Sequence, residues 1–165
     1  MNNSKIKKII LIFLGLFLAM GCEDDNSTGA STPESASIYG TITFSGDFPA
    51  TGTVSVSLQS NWLPTGAPAA YSEITSLSDG TYAYLFENLS FGSYAALAVS
   101  WEDPEDDYSS TNQHVLGAHG GTAPWSEQYG LGTDPTIITV SETEFELNID
   151  FTADFSLAVS STGGI

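Results

Sequence analysis

Five carboxylates fall within six consecutive residues at Glu102, Asp103, Glu105, Asp106 and Asp107. Asp103, Glu105 and Asp107 alternate as oxygen ligands do in many calcium loops, and Ca2+ takes roughly 6–8 such oxygens. A complete EF-hand loop also needs Gly at its sixth position and Glu at its twelfth. Counted from Asp103, those positions hold Tyr108 and His114. The stretch therefore reads either as a Ca2+ site of another kind or as a solvated acidic loop. His114 and His119 lie five apart beside glycines. Zinc would need a third ligand, which a nearby carboxylate could supply, but two loop histidines are more often plain polar residues.

Two further sets of residues carry chemistry. Trp62, Trp101 and Trp125, with Tyr71, Tyr108 and Tyr129, would make a stacking platform for a sugar or would fill and cap a core. Cys22 is the single cysteine, set in "AMGCEDD". Catalytic patterns are missing: there is no GxSxG, no Gly-rich phosphate loop, and no Lys or Arg after Lys8 to hold an oxyanion. Paired carboxylates abound, but a glycosidase needs two of them positioned across a cleft. The expectation is a protein that is not an enzyme.

The surroundings of Cys22 say how it is used. Lys5, Lys7 and Lys8 form a positive start, and residues 9–19 form an apolar run broken only by Gly15. The run is too short for an ordinary membrane span but suits a signal peptide. It ends in Leu18-Ala19-Met20-Gly21-Cys22, which resembles the lipobox of bacterial lipoproteins, with Ala19 where Leu is commoner. The resemblance implies cleavage before Cys22 and a diacylglycerol on its thiol, which leaves no thiol for catalysis, metal or disulfide. Two or three acyl chains would anchor the protein stably, where one would be marginal. Glu23-Asp24-Asp25 resembles the export signal that sends lipoproteins of some Gram-negative groups to the outer face of the outer membrane; it also reads as the start of a solvated tether.

Removing residues 1–21 leaves 144 of the 165 residues and takes all three Lys, moving the formal net charge from −17 to −20. Such a chain would repel the phosphate backbone, so nucleic acid is excluded as a partner. Twenty carboxylates without counter-charges also repel one another at low salt, and a saline or calcium-rich exterior would screen them.

Three segments follow: a signal peptide over 1–21, an acidic and Ser/Thr-rich tether over 22–37, and one domain over 38–165. The tether "NSTGASTPESAS" lacks apolar periodicity and cannot offset its own chain entropy. In the domain the period is two. Ile38, Gly40, Ile42 and Phe44 share a face, as do Val54, Val56 and Leu58. Residues 144–159 keep Phe145, Leu147, Ile149, Phe151, Ala153, Phe155, Leu157 and Val159 in phase. Such alternation predicts strands with one buried and one wet face. "PATG", "SDG" and "NLSFG" supply reversals, and further strands are expected near 71–77, 93–101 and 136–140. The fold class expected is all-β, a single Greek-key sandwich of seven strands.

The order of motifs then carries a resemblance. "YGTITFSG", "VSVSL" and "DGTYAYLFENLSFGSYAALAV" follow one another and look like the prealbumin-like β-sandwich of carboxypeptidase regulatory-like domains. "YGLGTDPTIITVSETEFELNIDF" resembles the closing strands of secreted relatives. In such relatives the loop after the second Gly-x-Tyr strand is often rich in Asp and Asn and can hold Ca2+. Here that loop reads "WEDPEDDYSSTNQHVLGAHGGTAPW", longer and without Asn-Gly turns.

These readings converge on a non-catalytic, lipid-anchored envelope protein of the outer membrane, facing the cell surface or the periplasm. Its role would be adhesion, scaffold or accessory binding, with an envelope protein or a glycan as partner. The alternative is a carbohydrate-binding or nutrient-capture module, with Ca2+ at Asp103, Glu105 and Asp107 and sugar contacts from Trp62, Trp101 and Trp125.

Overall fold

The computed structural model describes residues 32–62, 64–107, 112–123 and 132–159. The signal segment, Cys22 and its acidic followers lie outside these residues, as do Tyr108, Trp125 and Tyr129. The described chain is all-β. Its strands are β1 (Ala36–Ser45), β2 (Thr53–Gln59), β3 (Ala70–Glu73), β4 (Thr81–Leu89) and β5 (Gly92–Tyr94), then β6 (Ala96–Glu102), β7 (Gln113–Ala118), β8 (Ile138–Val140), β9 (Glu146–Asn148) and β10 (Phe151–Asp154). A single 3-10 turn, Phe155–Leu157, follows. The described residues thus hold ten strands where seven were expected.

One sheet runs β10-β1-β4, with β9 also pairing β1; a second runs β3-β2-β6-β7; β5 and β8 form a third. The first two share one core. Ile38, Ile42, Tyr84, Phe86 and Phe151 from the first meet Val54, Val56, Leu58, Leu97 and Val99 from the second in a single buried cluster. A fully buried Val, Leu or Ile side chain contributes roughly 1.5–3 kcal/mol. The shared cluster therefore holds the sheets to each other, while the ladders hold each sheet internally.

The turns follow from their residues. Asp79 and Gly80 both have positive φ, 50° and 74°, as a two-residue type I′ hairpin requires. Ser78 and Thr81 close it by exchanging backbone hydrogen bonds of 2.9 Å each. At the other end of β4, Asn88 has φ 56°, where the register against β1 shifts between Ala36 and Ile38. Asn tolerates this left-handed bulge position better than most residues.

Several expectations are revised. Ala36 and Ser37, read as the end of the tether, belong to β1, and Ala36 is buried. The strand expected at 93–101 is two strands in different sheets. The chain changes sheet at Ala95, whose N–H bonds the Gln59 carbonyl at 2.8 Å. The loop after Trp101 contains β7. The phased segment 144–159 is not one strand but β9, β10 and the 3-10 turn. It breaks at Asp150, whose Oδ1 accepts the Thr41 N–H at 2.7 Å in place of a ladder bond.

Both closing strands run parallel to β1. Ser37–Tyr39 register with Glu146–Asn148, and Ile42–Ser45 with Phe151–Asp154. This places the ends of β1 and β10 side by side at one margin of the first sheet. β7 is the facing margin of the second. Their backbones approach so closely that a Cβ on Gly117 would run into the Thr152 carbonyl and Ala153.

Candidate functional site

The described part of the acidic loop is organised around Asp103. Asp103 is only 1 % exposed. Its N–H donates to the Asn112 carbonyl at 2.7 Å, and its Oδ1 accepts the Glu105 N–H at 2.9 Å. Asn112 in turn donates from Nδ2 to Glu102 Oε1 at 3.3 Å. Asp103 thus ties the outgoing end of β6 to the incoming end of β7, and its carboxylate serves the chain's own backbone. Glu105 and Asp107 are exposed to solvent instead. Among the described residues no three His, Cys, Asp or Glu side chains are grouped to hold a metal ion. Of the expected Ca2+ ligands, Asp103 is therefore buried while Glu105 and Asp107 are exposed. His114 packs its ring 5.4 Å from that of Trp101. His119 is partly buried, which pushes its imidazole pKa below the ordinary range.

Of the three tryptophans expected to contact a sugar, the structure buries one. Trp101 is 4 % exposed and part of the core, and its Nε1 donates to the Thr51 carbonyl at 2.8 Å. Neighbouring Gly52, at φ 80°, leaves no room for a Cβ beside the indole. A ring so enclosed cannot stack on an external sugar. Trp62 is half-buried on the segment after β2, and Trp125 lies outside the described residues. Tyr71 is exposed on β3, its phenol pKa raised by burial and by the charges of Glu73 and Glu102.

A cleft of about 580 Å³ opens instead where β1 and β10 face β7. Its polar lining is Thr43, Ser45, Thr122, Thr152 and Asp154. Phe44, Leu116 and Leu157 give it apolar wall, with the small side chains of Ala118, Ala123 and Ala153 between. Strand geometry explains the mixture. Inward side chains such as Ala153 face the core, and alternate residues such as Thr43 and Thr152, adjacent in register, are exposed on the opposite face. Phe44 is fixed by stacking on Phe155, centroids 4.6 Å apart and planes 10° from parallel.

Asp154 is the one ionisable group in this lining. Its Oδ1 caps the 3-10 turn by accepting the Ser156 N–H at 2.9 Å. That bond, aided by the hydroxyls of Ser156 and Ser45, lowers its pKa below the ordinary 3.8. It is a carboxylate at neutral pH. Leu116, Ala118 and Ala153 of this lining are themselves buried, and the lining has no Lys, Arg, His or Cys.

None of these cleft residues stood out in the sequence. The signal was present only as two short alternating stretches, "TFS" and "TAD", whose meeting depends on parallel pairing across more than a hundred residues. Comparison with protein-family models, with curated proteins and with solved structures found no match for this chain.

Proposed function

We propose that this is a non-catalytic, lipid-anchored envelope protein whose β-sandwich domain serves as an accessory binding module. The observation that carries the reading is the ordered run of Lys5, Lys7 and Lys8, the apolar residues 9–19, and Leu18-Ala19-Met20-Gly21-Cys22. Charge, apolar length, small residue and thiol occur there in the order that signal cleavage and lipidation need. The anchor would place the domain on the outer membrane. Glu23-Asp24-Asp25 favour its outer face. Two sheets around one core and the "DG" hairpin before β4 support a prealbumin-like sandwich of the carboxypeptidase regulatory-like kind.

Metabolic labelling with a palmitate analogue tests the anchor. The unmodified chain takes up label and sediments with membranes; Cys22→Ser does neither. A Cys22→Ser chain that stays in the membrane fraction overturns the reading. Replacing Glu23, Asp24 and Asp25 by Ala should lower protease accessibility on intact cells and leave the label in place.

A further inference from the structure

We infer that the free edge of β4 is a docking surface for an extended, basic segment of a partner protein, which adds to the first sheet as a further strand. The inference rests on the binding-module part of the proposed function and names its surface and its partner. Whether Cys22 carries lipid does not bear on it.

The ladder decides which backbone groups are free. β4 ends the β10-β1-β4 sheet and pairs β1 antiparallel. In such a ladder successive residues turn their N–H and C=O alternately toward the partner strand and away from it. Two contacts set the phase. Phe44 N–H donates to the Gly80 carbonyl at 2.9 Å, so Tyr82, Tyr84 and Phe86 turn their backbone groups to β1. Thr81 instead exchanges bonds of 2.9 Å with Ser78, on the side away from β1. Ala83 and Leu85 continue this outward series. Among the described residues, nothing pairs with their N–H or C=O on that side.

Sheet edges are usually guarded by Lys, by Pro or by an inward charge. From Thr81 to Phe86 the chain reads "TYAYLF" and has none of these. The outward face beside the edge is apolar too. Leu85 is 56 % exposed and stands directly across from Tyr39, which is 40 % exposed. An added strand would take backbone bonds from Ala83 and Leu85 and lay one side chain against Leu85 and Tyr39.

Charge and register then choose the occupant. Two residues on from Leu85, Glu87 is exposed, so a residue set opposite it should be Lys or Arg. A second copy of the domain has none to offer, since no Lys or Arg follows Lys8. Two-fold pairing of β4 with itself, Ala83 against Leu85, would also set Thr81 opposite Glu87. The outward groups of Thr81 are already taken by Ser78. A partner segment meets neither obstacle. Its period is two: an apolar residue opposite Leu85 and a basic one two places along, both on the outward face.

Amide hydrogen exchange of the full chain in mild detergent provides the test. In the free chain, Ala83 and Leu85 should exchange faster than Tyr84 and Phe86. The probes are capped Thr-Lys-Thr-Val-Thr-Lys-Thr and its versions with Leu or Tyr at the centre. At saturation at least one should slow exchange at Ala83 and Leu85 by about tenfold or more. The same peptide with Glu for Lys, or with its central residue N-methylated, should not. Leu85→Pro removes an N–H that faces away from β1, so the ladder is kept, and should raise Kd by about tenfold. Leu85→Lys, which leaves the backbone unchanged, should weaken the basic peptide in the same direction. The inference is overturned if no basic peptide slows exchange at both residues, or if the acidic one does so equally. It is overturned too if both amides are already protected in the free chain and light scattering shows a dimer, which would give the edge to a second copy. None of these outcomes touches the palmitate result, so the anchor and the edge succeed or fail separately.

Discussion

The segment after Trp101 and the cleft beside β10 are opposites in composition. The first places five carboxylates in six residues; the second contains one. Yet the dense segment turns Asp103 inward to bond its own backbone, while Glu105 and Asp107 face solvent. The sparse region draws groups from β1, β7 and β10 to one place. Carboxylates close in sequence repel one another and disperse unless a cation holds them. Groups brought together by sheet pairing have no such choice. A site is made by convergence across the fold, and local density of ligating atoms is a poor substitute.

The largest expected effect tests whether the aromatic residues belong to the core or to a surface. Trp101→Ala should destabilise the domain by about 3–5 kcal/mol, as removal of a large buried ring does. Chemical denaturation measures it. A loss below about 1 kcal/mol would return Trp101 to the surface and revive the platform. Next comes the contrast within the acidic loop. Asp103→Ala should cost about 1.5–3 kcal/mol because the Glu105 N–H loses a charged acceptor, whereas Glu105→Ala and Asp107→Ala should each stay within about 0.5 kcal/mol. Three equal effects would mean the loop acts as one unit.

Gly117→Ala probes the cleft side of the comparison. Its Cβ would collide with backbone at Thr152 and Ala153, so overpacking of about 1–3 kcal/mol is expected. The margins should part, and chemical denaturation reads the loss. A smaller effect follows from charge. With no Lys or Arg after Lys8, added NaCl should raise the melting temperature by screening repulsion. Ca2+ and Mg2+ at equal ionic strength should then act alike, and a clear advantage of Ca2+ would restore a metal site.

The smallest effect is on pH dependence. The pKa of Asp154 is lowered on folding. Its contribution is therefore present above its ordinary value of 3.8 and is lost as pH falls through the lower, folded value. Asp154→Asn should therefore lower stability slightly near neutrality, leave it unchanged below the folded pKa, and flatten that part of the acid limb.

How far the sequence foretold the molecule varies by residue. The alternation of Val54, Val56 and Leu58 announced β2 because a half-buried strand has period two, and Asp79-Gly80 announced its hairpin because few residue pairs accept positive φ twice. β7 was hidden. Its "QHVLGA" lies amid glycines and histidines, and a register irregularity between Val99 and Ser100 on β6 disturbs the strict alternation. The break at Asp150 was hidden for another reason: apolar phase runs through it undisturbed, and only the tertiary partner Thr41 reveals that a side chain replaces the ladder. The cleft was the least legible feature. Thr43, Thr152 and Asp154 are ordinary strand residues until β1 and β10 pair in parallel, and no local pattern encodes that pairing.

One measurement tests most directly whether the acidic segment is organised by the fold or acts as a cluster of ligands: chemical denaturation of the full chain, of Asp103→Ala and of the Glu105→Gln, Asp107→Asn double variant, in Ca2+ and in Mg2+ at equal ionic strength. The account predicts that Asp103→Ala loses about 1.5–3 kcal/mol while the double variant unfolds as the unmodified chain does in both solutions. A Ca2+-specific gain in the unmodified chain that the double variant lacks would place a cation site in the acidic loop and contradict it.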